Sequence, residues 1–184
     1  MPPKKNEGIN MSNRIKNKIN HHNREDLAGE HRIGDAGQFI LILLFLGVWI
    51  LDTFFLRKTT FLNQVVPPAV RLFVAVGIFI PSGYLAWTGM RIVFGEGRVH
   101  EGVIREKVFN RMRHPIYLSE LLLYLGFLCL SISLAAAFIW VATAVFLHII
   151  SRFEETLLIE KYGDEYRTYM EEVPMWIPCF GKKH

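Results

Sequence analysis

Four long apolar stretches constrain the fold of this chain more than any other feature. They cover residues 39–56, 69–94, 116–130 and 134–150. Several of them approach the roughly 20 residues that a helix needs to cross the hydrocarbon core of a bilayer. About half of all residues are hydrophobic, in keeping with such segments. We therefore predict an all-α polytopic membrane protein with about four transmembrane helices.

Charged residues divide the chain into two parts. Residues 1–33 are polar and basic, with too few apolar side chains for a core, so we predict a separate segment that could rest on anionic lipid. We do not expect a signal peptide, because no small-residue cleavage site follows the first apolar stretch. We expect residues 34–184 to form the membrane domain. The net charge of +4 comes largely from residues outside the apolar stretches, which indicates membrane orientation rather than a nucleic-acid partner.

The distribution of Lys and Arg predicts the topology. These residues are dense in the N-terminal segment, in the connector over residues 95–112 and in the C-terminal tail. The turn between the third and fourth apolar stretches has none. Because basic residues accumulate on the cytoplasmic side of membrane proteins, we expect both termini and the connector to lie in the cytoplasm.

Histidines and cysteines give no sign of a metal centre. His21, His22 and His31 lie in the basic segment without partner cysteines or regular spacing. Cys129 lies inside an apolar stretch and Cys179 in the tail, too far apart in sequence to form a ligand motif. We therefore predict no metal site.

Two features lie inside the first two apolar stretches. Asp52 could mark a functional site, as intramembrane carboxylates often do, or it could reach the interface and pair with Arg57 or Lys58. We favour the pairing. In the second stretch three glycines would permit close approach of another helix: Gly77, Gly83 and Gly89.

The sequence Arg113-His114-Pro115-Ile116-Tyr117 opens the third apolar stretch. Its proline suits the first turn of a helix. Four polar or aromatic residues then share one side of that helix, because they are three or four residues apart: His114, Tyr117, Glu120 and Tyr124. Such a stripe in a membrane helix should face protein, a ligand or water. It is either a packed polar seam or part of a site.

The fourth apolar stretch ends in a second polar cluster. Residues 131–133 interrupt the chain without any charge, so the third and fourth stretches should form a tight antiparallel hairpin. This hairpin brings the end of one helix beside the start of the other. His148, Arg152 and Glu155 share one face there, next to Glu154. The meeting of two polar clusters favours a functional site over a seam. An amphipathic tail helix over residues 156–172 should follow, bent at Gly163.

Several motifs then occur in a characteristic order. The sequence around His114 is followed by the hairpin, by Arg152-Phe153-Glu154-Glu155, by Tyr162-Gly163-Asp164-Glu165-Tyr166 and by Val173-Pro174. This combination resembles the isoprenylcysteine carboxyl methyltransferase family. More broadly it is similar to the integral-membrane methyltransferases that include phospholipid N-methyltransferases. The resemblance covers about residues 98–178.

The resemblance implies an enzyme that uses S-adenosyl-L-methionine. It also implies a cofactor pocket made by Val103, Ile104, Phe109, Arg113, His114, Pro115, Tyr117, Glu154 and Glu155. On the acceptor side, the family's basic residue before the glutamates would correspond to His148 or Arg152, which we predict as catalytic. The residue types suit this cofactor, because carboxylates can bind its ammonium group, guanidinium groups its carboxylate and aromatic rings its sulfonium or adenine.

The acceptor is the least constrained part of this prediction. We expect a carboxylate on a lipophilic or isoprenylcysteine-like molecule that enters from the bilayer. An N-methyltransferase of phospholipid head groups is the second possibility, and its amine would have to lose a proton to His114, His148 or a glutamate. A membrane scaffold without turnover, or a reductase that binds a nicotinamide cofactor, would be further alternatives.

Overall fold

The computed structural model of the protein describes residues 32–94 and 102–178. Almost all of the predicted basic segment, the start of the connector and Cys179 lie outside the described residues. Five helices cover most of the described chain: α1 (Arg32–Ile50), α2 (Pro68–Phe94), α3 (Pro115–Leu130), α4 (Leu134–Tyr162) and α5 (Asp164–Glu172). A π-helical turn, Leu51–Leu56, continues α1, and short 3₁₀ turns cover Phe61–Gln64 and Lys107–Asn110. The described part of the chain contains no strand.

Three helical segments of the described chain are long and apolar enough to cross a membrane: Ala36–Leu56, α2 and α4. The helix α3 is also apolar but has only 16 residues, or about 24 Å at the usual rise of an α-helix. The prediction of an all-α membrane protein is therefore confirmed, with three long helices and a shorter fourth where four spans were expected.

The helix α4 is much longer than its apolar stretch. It continues to Tyr162 and so includes the first part of the predicted tail helix. Gly163 then adopts a φ of 58°, which a residue without a Cβ tolerates best, and α5 begins at the next residue. The predicted bend at Gly163 is confirmed.

The helices α2 and α3 pack closely at two glycines. A Cβ added at Gly126 would lie 2.4 Å from the ring of Phe79, and one added at Gly89 would lie 2.7 Å from Ile116. The predicted close approach therefore occurs at Gly89. A Cβ at Gly77 or Gly83 would meet no atom within 4 Å, because these two glycines face away from α3.

Aromatic side chains connect α1 to α3. The rings of Phe45 and Tyr124 stack with centroids 4.3 Å apart, and both side chains are fully buried. One turn further along α1, the indole N–H of Trp49 donates a hydrogen bond to the carbonyl of Phe127. These contacts place α1 beside the α3–α4 hairpin, where it also packs against Phe146 of α4.

Asp52 is buried at the end of the bundle that holds the α3–α4 turn. Its carboxylate accepts hydrogen bonds from the backbone N–H groups of Lys58 and Thr59 and from the hydroxyls of Thr59 and Ser133. The partner at Lys58 is thus the backbone N–H and not the ammonium group that the sequence suggested. The carboxylate fastens the loop after α1 to the start of α4.

Candidate active site

Pro115 determines the backbone geometry at the start of α3. A proline disfavours helical geometry in the residue before it, and His114 has φ −120° and ψ 62°. The backbone N–H groups of Arg113 and His114 therefore remain outside the helix. They donate to the carbonyls of Pro174 (3.0 Å) and Met175 (3.2 Å), so the chain after α5 runs alongside the start of α3.

The carboxylate of Glu155 binds both residues before this proline. Its Oε1 lies 2.9 Å from Nε of Arg113 and 3.2 Å from Nε2 of His114. Glu155 is only 2% exposed and the Arg113 side chain 9%. The same guanidinium donates from Nη1 to the carbonyl of Met170. Arg113 is therefore held by protein groups on two sides, as a buried cation requires.

Glu154 reaches the next turn of α3. It accepts a hydrogen bond from the hydroxyl of Tyr117, and its Oε2 lies 3.7 Å from Nδ1 of His114. The imidazole of His114 stacks almost parallel on the Tyr117 ring, with centroids 5.6 Å apart. The structure thus brings together five of the residues predicted for the cofactor pocket, including Arg113 and Glu155.

The two residues predicted as catalytic lie at the rim of this cluster. The Arg152 side chain is 65% exposed, and its Nη1 is 3.9 Å from Oε2 of Glu155. His148 is exposed and lies one turn earlier on α4, where its Nδ1 accepts a hydrogen bond from the indole N–H of Trp176. The Trp176 ring also lies 6.1 Å from that of His114, so the tail covers one side of the cluster.

The other predicted pocket residues pack around the connector. Ile104 and Phe109 join a hydrophobic cluster around Leu85, and Val103 packs against α5. The backbone N–H of Val103 also donates to the carboxylate of Glu165. Pro115 itself is fully buried. These residues position the start of α3, and their contact with a cofactor stays a prediction.

Two tyrosines of α5 support the connector from the other side. The Tyr169 hydroxyl donates to the carbonyl of Phe109 at 2.6 Å. Burial raises the pKa of the Tyr166 and Tyr169 hydroxyls well above the ordinary tyrosine value, so both stay protonated at neutral pH. The tail helix is thereby fixed to the loop that leads into the candidate site.

Two buried polar atoms of α4 make no hydrogen bond to any described residue. They are Oε2 of Glu155 and the hydroxyl of Ser151, which lie one helical turn apart. A carboxylate oxygen accepts hydrogen bonds and a hydroxyl can do so as well, so the pair suits a ligand with a cationic N–H donor. Ser151 is not among the predicted site residues, although its spacing of four from Glu155 is visible in the sequence. Trp176 is not among them either, because no spacing pattern points to it.

The described residues contain no group of His, Cys, Asp and Glu arranged to hold a metal ion. The cluster therefore offers carboxylates, an imidazole, aromatic rings and an exposed guanidinium. Such groups can bind a small cationic ligand and move a proton beside it. They lie where α3 begins and where the apolar part of α4 ends.

One family of known proteins is related to this chain in sequence. A profile described as "Phospholipid methyltransferase" matches residues 69–165, more than half of the chain, from α2 to the start of α5. An uncharacterized protein of Haemophilus influenzae is 42% identical over an alignment of 67 residues, which covers 34% of this chain and the whole of that protein. No solved structure matches the chain significantly. The profile match shows that the chain belongs to the phospholipid methyltransferase family, whose members are integral-membrane methyltransferases.

Proposed function

We propose that the protein transfers a methyl group from S-adenosylmethionine to a lipid-borne amine at the cytoplasmic face of a membrane. The observation that carries the proposal is the joining of α3 to α4 by Glu155 with Arg113 and His114, and by Glu154 with Tyr117. The distribution of basic residues in the sequence supports the cytoplasmic side.

Two buried polar atoms that make no hydrogen bond to any described residue match the cofactor. When bound, S-adenosylmethionine supplies an electrophilic methyl group on a positively charged sulfur. In this proposal Oε2 of Glu155 and the hydroxyl of Ser151 bind its ammonium group. Its carboxylate is bound by Arg152, because the guanidinium of Arg113 is already engaged by Glu155 and Met170. The stacked rings of His114 and Tyr117 offer a π surface to the sulfonium or the adenine.

The amine acceptor is favoured by the charges of the site. A neutral amine must lose a proton when its nitrogen forms a bond to the methyl carbon, while the carbon–sulfur bond breaks and its electron pair returns to sulfur. Glu154 can accept that proton, since it lies beside His114 and the Tyr117 hydroxyl. The negative charge of Glu154 also favours a cationic head group over an anionic one.

A carboxylate acceptor is the second candidate, in line with the resemblance to isoprenylcysteine carboxyl methyltransferases. The observation in its favour is the exposed guanidinium of Arg152, which could bind an acceptor carboxylate instead of that of the cofactor. No general base is then needed, because a carboxylate already carries the lone pair and negative charge that attack the methyl group.

The test begins with cofactor binding. Calorimetry on detergent-purified protein should show micromolar binding of S-adenosylmethionine, lost in His114→Ala and Glu155→Gln and retained in the exposed-site control Glu160→Gln. Labelled methyl transfer to phosphatidylethanolamine and to a farnesylated cysteine would then compare the two acceptors. Absence of binding by folded wild-type protein, in detergent and in lipid nanodiscs, would overturn the proposal. A titration with NADPH would in that case test a reductase, and binding of neither cofactor would favour a scaffold.

A further inference from the structure

Glu120 places a carboxylate within the apolar helix α3. No other residue between Pro115 and Leu130 carries a formal charge. The side chain is only partly buried, and among the described residues its one hydrogen bond comes from the Tyr124 hydroxyl, 2.7 Å away. Because ionisable groups at membrane depth are costly unless they are paired or functional, this carboxylate requires an explanation.

Asp52 gives a comparison, because it is a carboxylate with a structural role in the same protein. That side chain is buried and accepts four hydrogen bonds from Lys58, Thr59 and Ser133. A carboxylate can accept about four hydrogen bonds, so Asp52 is saturated. Glu120 receives one bond, from its own helix, and holds no two elements together. The carboxylate of Glu120 can therefore accept further hydrogen bonds from a ligand.

The position of Glu120 relates it to the candidate site. It lies three residues after Tyr117 on the same side of α3, about 4.5 Å further along the helix axis. Tyr117 contacts Glu154 on α4, and Tyr124 stacks on Phe45 of α1. Glu120 thus lies between the contact of α3 with α4 and its contact with α1. Stacking on Phe45 fixes the ring of Tyr124, the only described hydrogen-bond donor to Glu120.

We propose that Glu120 binds the ammonium head group of the methyl acceptor and selects amines over carboxylates. This inference rests on the proposed function, and it assigns an acceptor-binding residue one turn deeper than the cofactor cluster. A lipid whose head group enters between the helices would hold its amine between this carboxylate and Glu154. The negative charge attracts an ammonium group and repels an acceptor carboxylate, and both effects are strong where water is scarce.

Lipid binding without the cofactor gives the most direct test. Native mass spectrometry of detergent-purified wild-type protein should show retention of phosphatidylethanolamine in preference to phosphatidylglycerol. In Glu120→Gln we expect this preference to fall about tenfold, as expected for losing a hydrogen bond to a charged group. Glu120→Asp should retain part of the preference and Glu160→Gln all of it. An unchanged preference in a folded Glu120→Gln variant would overturn the inference.

Kinetics separate this inference from the proposed function. The Glu120→Gln variant should bind S-adenosylmethionine with wild-type affinity, while the KM for phosphatidylethanolamine rises and kcat changes little. Loss of cofactor affinity in this variant would instead indicate a structural or cofactor-binding role, and would also overturn the inference. If wild-type protein retained the amine lipid through Glu120 but bound no S-adenosylmethionine, the proposed function would fail while the lipid site remained. A wild-type enzyme that methylates only carboxylates would overturn the assignment of Glu120.

Discussion

Nε2 of His114 lies 3.2 Å from Oε1 of Glu155, a residue 41 positions later in the chain. The imidazole precedes the first turn of α3, whereas the carboxylate lies late in α4. The same carboxylate oxygen binds Arg113. One buried glutamate therefore closes the α3–α4 hairpin and sets the imidazole against Tyr117, so stability and cofactor binding should depend on it together.

Replacing Glu155 tests that dependence. Glu155→Gln leaves the Arg113 guanidinium buried without its counter-ion, and loss of one partner of a buried pair typically costs about 3–5 kcal/mol. We expect a clear fall in the melting temperature of the detergent-purified protein and loss of cofactor binding. Glu160→Gln changes an exposed glutamate of the same helix and should leave both properties unchanged. Equal melting temperatures of the two variants would contradict the role assigned to Glu155.

The meeting of these residues could be predicted from the sequence. The uncharged interruption at residues 131–133 predicts an antiparallel hairpin, which brings the start of α3 beside the end of the fourth apolar stretch. The apolar stretches likewise predicted the membrane helices. The ends of these helices were less predictable. The last turns of α4, up to Tyr162, are stabilised by helix propensity and by packing against α5, and not by a continuous apolar sequence.

Contacts that depend on the path of a loop could not be predicted from the sequence. The hydrogen bond from Trp176 to His148 forms because the tail runs back along the start of α3. There the backbone N–H groups of the two residues before Pro115 lie outside the helix and donate to carbonyls of the tail. The environment of Asp52 depends similarly on the loop after α1 folding over Ser133. Neither arrangement produces a periodic pattern, so no spacing rule could identify the partners.

Tyr117→Phe removes a hydroxyl and little else. The ring can still stack on His114, but Glu154 loses its hydrogen bond from α3. A hydrogen bond to a charged group contributes roughly 1.5–3 kcal/mol to stability, so we expect the melting temperature to fall. Because Glu154 is then no longer oriented from α3, we also expect methyl transfer in the folded variant to fall by at least about tenfold. Labelled methyl transfer at saturating cofactor measures this effect. Tyr162→Phe, at the end of α4, serves as the control, and comparable activity in the two variants would show that Glu154 does not need the hydroxyl.

Asp52 should affect stability without affecting the site. Asp52→Ala removes the acceptor of four hydrogen bonds at the opposite end of the bundle, and each buried donor left unpaired costs about 1–3 kcal/mol. We expect a lower melting temperature but unchanged affinity for S-adenosylmethionine in the folded protein. Asp52→Asn should be milder, because its amide can still pair with the hydroxyls and the backbone N–H groups. Loss of cofactor affinity in folded Asp52→Ala would contradict this separation.

The contact between Gly126 and Phe79 gives a test of the packing that positions α3. A Cβ at Gly126 would lie 2.4 Å from the Phe79 ring, so Gly126→Ala must displace this ring or push α2 and α3 apart. Overpacking of this kind typically costs about 1–3 kcal/mol, and thermal unfolding in detergent should show the loss. Gly77→Ala makes the same chemical change on α2, where the new methyl group meets no atom within 4 Å, and it should be neutral or slightly stabilising because alanine favours the helix. The double variant Gly126→Ala with Phe79→Leu should recover part of the lost stability if the ring is the obstacle. A Gly126→Ala protein as stable as Gly77→Ala would mean that α2 and α3 do not pack as closely as the structure shows.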